Sequence, residues 1–253
     1  MRWDLTGRVA IVTGASQNIG KAIAEALAEA GASLVISALD ADELDAAAEE
    51  MRTTQRALVE TVAGDLCEEG FAHQIADRAL DAYGGVDIVV NNALIDKGER
   101  CALLEVSRPS WDRKFAGYLF SPLDLVARTT ASMAERGHGS VINVVSGAAL
   151  TPIVGMGAYG VSKATMWAMT RQLARELAPH VRVNALCPGT TTETGTIEQA
   201  KTEPLLRSVP LQRMGTARES AEAALFLASD ASSYTTGQML RVDGGRSELV
   251  SPV

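Results

Sequence analysis

Cysteine is scarce. Cys67, Cys101 and Cys187 are an odd number, widely spaced, with no CxxC pair among them. That argues against a disulfide framework and suits a reducing compartment, so a cytoplasmic protein is expected. Histidine is as rare: His73, His138 and His180 stand too far apart to suggest a metal cluster, and no metal is expected. Excess positive charge is missing too. The net charge is -8 and the basic residues are scattered, which disfavours a nucleic-acid partner. No apolar run approaches the ~18 residues that a bilayer crossing needs. The segment "MRWDLTG" lacks an apolar signal core, so neither membrane insertion nor export is expected. Nor does a Pro/Gly/Ser-rich linker, charge block or internal repeat divide the chain, which predicts one domain over residues 1–253.

What is present is core material, with 47% hydrophobic residues in 253 positions. Apolar runs of strand length recur at Val9–Thr13, Ser33–Ser37, Ala57–Ala63, Asp87–Asn91, Ser140–Val145, Val181–Cys187 and Met239–Val242. Between them, Ile19–Ala30, Asp42–Arg52, Glu68–Tyr83, Trp111–Arg136, Ala158–Ala178 and Arg218–Leu227 carry apolar residues at three- and four-residue spacing. Such alternation predicts an α/β fold: a doubly wound, Rossmann-like parallel sheet in three layers, covered on both faces. The stretch from Pro188 to Thr236 reads as free of strands. Its polar, threonine-rich part around residues 190–215 reads as a lid over a substrate.

The first strand-to-helix turn, "VTGASQNIG", holds only two glycines, Gly14 and Gly20. Dinucleotide-binding turns use glycine so that the backbone can bend tightly and approach a pyrophosphate at a helix N-terminus. Asn18 stands where such a turn often has its middle glycine. Asparagine is the least damaging replacement, because it visits left-handed backbone angles comparatively easily. An ordinary turn with a polar cap is the plainer alternative. Further on, Ser146 ends a strand, and Tyr159 and Lys163, four residues apart, share one face of the next helix. A lysine beside a tyrosine stabilises phenolate, drawing a phenol of ordinary pKa ~10 toward a working range for proton transfer. Against that stands a surface aromatic, a solvated neighbour and a serine cap.

Taken together, these segments resemble the short-chain dehydrogenase/reductase family, in its single-domain form, over essentially the whole chain. "TGASQNIG" looks like that family's cofactor turn, here Gly14, Ser16, Gln17, Asn18, Ile19 and Gly20. "GDL" is similar to the segment whose Asp65 meets the adenine and whose Leu66 packs nearby. "NNA", with Asn92 and Ala93, resembles the motif after the fourth strand. "CPG", with Pro188 and Gly189, falls on the turn beside the nicotinamide, and Thr192 or Thr194, flanking Glu193, falls near a carboxamide contact. Ser146, Tyr159 and Lys163 fall on the family's catalytic positions.

The resemblance implies hydride transfer between a nicotinamide cofactor and a secondary alcohol or ketone on a small, mostly uncharged molecule. Tyr159 would act as acid or base on the substrate oxygen, Ser146 would hydrogen-bond that oxygen, and Lys163 would hold the cofactor ribose and lower the tyrosine pKa. A homotetramer or dimer packed through the long helices is also implied. Candidate pocket residues are Ala148, Leu150, Ile153, Val154 and Met156, while Arg100 or Arg207 would favour an anionic substrate.

Three positions depart from the family pattern. Tyr118 stands where an asparagine usually interrupts the helix and holds a proton-relaying water, and Pro122 fixes that register. Leu94 replaces the glycine after "NNA", and Asn18 the middle glycine. At the end of the second strand, Ala38 and Leu39 offer no cation for a 2′-phosphate. Asp40 or Asp42 would repel one, so NAD is expected over NADP, unless both acids merely cap a helix. A non-catalytic nucleotide-binding or scaffold protein, and non-redox chemistry on the same fold, are the competing functions.

Overall fold

The computed structural model describes residues 3–95, 101–192 and 206–246. In chain order the main elements are β1 (Val9–Thr13), α1 (Asn18–Glu29), β2 (Ser33–Ala38), α2 (Ala41–Thr54), β3 (Val59–Ala63), α3 (Phe71–Tyr83), β4 (Ile88–Asn91) and α4 (Arg108–Phe115). Then follow α5 (Ser121–Arg136), β5 (Gly139–Val144), α6 (Gly157–Glu176), β6 (Val181–Pro188), β7 (Thr191–Thr192), β8 (Gly215–Thr216), α7 (Ala217–Ala228) and β9 (Met239–Val242). Seven strands form one parallel sheet in the order β3-β2-β1-β4-β5-β6-β9. The predicted doubly wound α/β sheet is therefore the fold observed.

The two larger hydrophobic clusters lie on the two faces of that sheet, because successive strand residues point to opposite sides, and a third gathers Tyr118, Val145, Met166 and Cys187. Ala10, Val12, Leu34, Ile36, Ile88, Val90 and Ile142 pack against α1, α2 and α7 through Ile23, Leu27, Leu44, Met51 and Leu225. Val9, Ile11, Val35, Val89 and Val141 pack against α3 and α5 through Ile75, Ala79, Leu125 and Met133. Burial on both faces is why these strands read as continuous apolar runs rather than as alternating ones. The last of these helices, α7, has a well-defined start: Thr216 Oγ1 accepts from the Glu219 N–H (3.2 Å) and the Glu219 carboxylate accepts from the Thr216 N–H (2.8 Å).

Two expectations need correction. The span from Pro188 to Thr236 does contain strands: β7 and β8 pair in parallel as a two-residue ribbon at the foot of the expected lid. Residues 193–205 of that lid lie outside the described residues. The single helix expected over Trp111–Arg136 is interrupted. Between α4 and α5, Ala116–Phe120 form a wide π turn in which the Ser121 N–H reaches back five residues to the Ala116 carbonyl. Pro122 has no N–H to offer the carbonyl of Tyr118 four residues earlier, which favours a break here. The extra residue turns Tyr118 into the core, where it is fully buried.

At the far edge from the strand carboxyl ends, Asp87 is buried and accepts from the Val9 N–H (2.8 Å) and from Arg136 Nε and Nη2 (2.9 and 2.8 Å). One carboxylate thus ties β1, β4 and the end of α5 together. Among the described residues no helix is long and apolar enough to cross a membrane. Asp87→Ala leaves the Val9 N–H without its acceptor and Arg136 without its counter-ion; urea unfolding is expected to show a loss of about 3 kcal/mol.

Candidate active site

The sheet order reverses between β1 and β4, and the crevice beyond their carboxyl ends is where doubly wound folds hold ligands. A cleft of about 730 Å³ opens there. Of the nominated residues, Gly14, Ser16, Gln17, Asn18, Ile19, Gly20, Asp65, Leu66, Asn92, Ala93, Ser146, Tyr159, Lys163, Pro188 and Gly189 line it. Thr192 does not, although its neighbour Thr191 does. The Thr192 hydroxyl is buried without a hydrogen-bond partner among the described residues. Glu193 and Thr194 lie outside the described residues, as does Arg100.

The glycine turn is packed to the limit. A Cβ on Gly14, whose φ is +66°, would stand 2.6 Å from the Ala93 Cα, and one on Gly20 would overlap the Gly14 carbonyl and the Asn92 side chain. Asn92 is the clamp: its Nδ2 donates to the Thr13 and Gly14 carbonyls (3.0 and 3.1 Å), while its own N–H and that of Ala93 donate to Thr13 Oγ1. Asn18 sits at φ +50°, in the left-handed region the sequence argument required of it, with its amide donating to Gln17 Oε1 (3.1 Å). The turn therefore presents the N-terminus of α1 to the cleft over a backbone no bulkier residue would allow, a cradle suited to phosphate.

At the adenosine-side wall, Asp40 takes the bland role foreseen for it. It caps α2 by accepting the Glu43 N–H at 2.9 Å, and Asp42 is exposed and away from the cleft. Sequence reasoning missed Glu43. Its carboxylate accepts from Ser16 Oγ (3.4 Å) and Gln17 Nε2 (3.5 Å), so it lies against the glycine turn beside Leu39. Its place, three residues after a helix cap at the carboxyl end of β2, was the available signal. Arg113 was missed as well: its Nη1 donates to Asp65 at 2.8 Å, and Asp65 also accepts the Cys67 N–H. Burial pushes the Asp65 carboxyl up, but the Cys67 N–H and Arg113 outweigh it and hold the group below the usual range.

At the other end, Ser146 begins a short 3-10 turn and its Oγ accepts from the Ala148 N–H (3.3 Å). Tyr159 and Lys163 rise from the first turns of α6 to meet it. Burial raises the Tyr159 phenol above its ordinary value; a hydrogen bond with Ser146 opposes this and charge repulsion from Cys187 adds to it. Lys163 is buried, donates to the Val144 carbonyl (2.7 Å), and is pushed down to about 7, with Cys187 opposing the shift. Burial, with repulsion from Asp243, pushes the Cys187 thiol up to about 11. Tyr118 stands over this group: the Lys163 Nζ lies 4.2 Å from the centre of its ring, and the Tyr118 and Tyr159 rings meet edge to face at 5.9 Å. Leu94 does not close the cleft; it lines the rim with its side chain half exposed. Among the candidate pocket residues Val154 points fully into solvent, while Ala148 is buried.

Comparison with known proteins agrees with this architecture. The family profile described as Enoyl-(Acyl carrier protein) reductase matches residues 14–247. An oxidoreductase of Mycobacterium tuberculosis is 39% identical over 246 residues, covering 95% of this chain and 92% of its own. The 3-oxoacyl-[acyl-carrier-protein] reductase FabG of Aquifex aeolicus is 32% identical over 97% of this chain and 99% of its own. Among solved structures, L-sorbose reductase from Gluconobacter frateurii, complexed with NADPH and L-sorbose, superposes with a TM-score of 0.90 at 28% identity, covering 99% of this chain and all of the other. The chain belongs to the short-chain dehydrogenase/reductase family, a family of oxidoreductases.

Two outcomes follow from this geometry. Between pH 7 and 10.5 the unfolded chain carries a proton on the Lys163 amine that the folded chain does not, so this group makes stability rise with pH over that interval. Urea midpoints of wild type and Lys163→Met at pH 7 and 9.5 are expected to show a smaller rise in the variant. At the turn, Asn18→Gly is expected to unfold within about 0.5 kcal/mol of wild type, whereas Asn18→Val loses about 1–2 kcal/mol because valine is held at a left-handed φ.

Proposed function

We propose that the protein transfers a hydride between a nicotinamide cofactor, NAD in preference to NADP, and the secondary alcohol or ketone group of a small, mostly uncharged molecule. The observation that carries this reading is the convergence of Ser146, Tyr159 and Lys163 in the same cleft as the Gly14–Gly20 cradle. A bound nicotinamide supplies or accepts the hydride. The chain's own work is to hold and move a proton. Tyr159 gives its phenolic proton to the substrate oxygen in reduction, or takes it in oxidation, and Ser146 holds that oxygen by a hydrogen bond. Lys163, fixed by the Val144 carbonyl, stabilises the phenolate by charge and has donors left for ribose hydroxyls. Thr192 Oγ1, buried without a partner among the described residues, suits a carboxamide.

The preference for NAD rests on two carboxylates, Asp40 and Glu43, on the wall where a 2′-phosphate would lie. The cation nearest to the adenine wall, Arg113, is engaged by Asp65. The relatives named as a 3-oxoacyl-[acyl-carrier-protein] reductase and an L-sorbose reductase suit a carbonyl and alcohol pair. Exposed apolar side chains at Phe120, in the π turn just before α5, and at Val161 on α6 suit self-association through this face.

Calorimetric titration is expected to show NADH binding about tenfold or more tightly than NADPH, and Glu43→Gln is expected to narrow that gap. Tyr159→Phe is expected to lower turnover of responsive alcohols or ketones, followed at 340 nm, by about 10²- to 10⁴-fold. Undiminished turnover in Tyr159→Phe sinks the mechanism, and binding of neither dinucleotide sinks the reading as a whole.

A further inference from the structure

Lys163 poses a problem that the proposed reaction does not by itself solve. Its ammonium is withdrawn from water, and among the described residues no carboxylate pairs with it. Isolated buried charges are costly, and a lysine so placed tends to give up its proton. Of its three donors, one meets the Val144 carbonyl and another reaches only the Met166 sulfur at 4.0 Å. The face of Tyr118 covers the ammonium at 4.2 Å, well within the reach of a cation–π contact.

Tyr118 is also placed to hold still. It is fully buried, its hydroxyl accepts the Ile95 N–H at 3.1 Å, and its ring meets that of Tyr159 edge to face. The hydroxyl is thus committed to the backbone beyond β4, while the negative face of the ring is given to the lysine. The π turn at Ala116–Phe120 is what aims it, since a plain α-helical turn would rotate the side chain by a full residue step.

We infer that Tyr118 is a positioning residue whose ring acts as the uncharged partner of the Lys163 ammonium, raising the pH at which that group gives up its proton and directing it at Tyr159. The inference rests on the reading that Tyr159 and Lys163 form the proton-transfer pair. The groups facing the ammonium are Tyr159 and the Met166 sulfur on its own helix, Tyr118 from the π turn, the Val144 carbonyl from β5 and the Cys187 thiol from β6. The Val144 carbonyl and the Tyr118 ring favour the cation without themselves titrating, and of the two only the ring belongs to a side chain that can be exchanged.

The test is the protonation midpoint of Lys163 in the protein without cofactor, read from lysine ¹³Cε shifts. The chain has five lysines, and Lys163→Met assigns the resonance. Tyr118→Phe keeps the ring and loses the hydroxyl; Tyr118→Leu loses both; Tyr118→Met, flexible enough to fill the gap, replaces Tyr118→Leu if that variant does not fold. The expected result is a midpoint in Tyr118→Phe within about 0.3 unit of wild type and one about a unit lower in Tyr118→Leu or Tyr118→Met. In turnover at pH 7.5, Tyr118→Phe is expected to retain most of kcat and Tyr118→Leu to lose it several-fold, with less effect on KM. Equal midpoints for the phenylalanine and the aliphatic variants overturn the inference, as does a Tyr118→Phe midpoint as low as that of Tyr118→Leu, which would assign the effect to the hydroxyl. If wild type turns over no alcohol or ketone, the proposed function fails while the Lys163 midpoint still decides the role of Tyr118.

Discussion

A lone ammonium in an apolar pocket is the constraint around which this site is built. Taking such a group out of water costs several kcal/mol, and a folded chain keeps it there only if something nearby favours the charge. Lys163 has one carbonyl, one sulfur and two aromatic rings around it, and no carboxylate among the described residues. A carboxylate would have stabilised the ammonium more strongly and would also have quenched its field at Tyr159. Carbonyl and ring leave that field available. The shift of Lys163 down to about 7 is the cost of this arrangement, and it puts the amine near the pH at which a small change in surroundings alters its charge.

The sheet supplies the rest of the geometry. Because every strand of the main sheet runs parallel, all their carboxyl ends meet at one edge, where the glycine turn, the end of β4, Ser146 and Pro188 face one another across the reversal in strand order. The opposite edge carries the stabilising contacts, with Asp87 joining β1, β4 and α5. Function and stability are thereby separated along the strand direction. Strain at the cleft, such as a left-handed asparagine, can be carried without weakening the far edge.

Much of this was legible in the sequence because it rests on local rules. Apolar runs of strand length bounded by helical spacing are a property of short windows, and the seven strands of the main sheet fall where those windows put them. The left-handed state of Asn18 was legible because only a few residue types tolerate it. What escaped depends on packing between distant segments. The break at Ala116–Phe120 has a local hint in Pro122, but the choice of a π turn is made by the inward burial of Tyr118 against Lys163, 45 positions later. Glu43 left only its place after the Asp40 cap as a signal, because its partners Ser16 and Gln17 lie on the preceding βα unit. The pairing of β7 with β8 joins two-residue strands across a long excursion, too short for any periodicity to show.

One short loop binds these features into a unit. After β4, Asn92 clamps the carbonyls of Thr13 and Gly14 and so sets the shape of the phosphate cradle. Three residues on, the Ile95 N–H holds the Tyr118 hydroxyl, and with it the ring that covers Lys163. Leu94 lies between them on the rim, where a side chain in place of glycine restricts the loop's backbone without filling the cleft. Departures from the family pattern at Asn18, Leu94 and Tyr118 therefore sit on one connected path: a left-handed asparagine in the cradle, a stiffer loop against it, and an aromatic lid that the loop fastens. Two of them share that loop directly, Leu94 within it and Tyr118 through the Ile95 N–H, and a loop tied down at Ile95 favours the rigid cradle that Asn92 must grip.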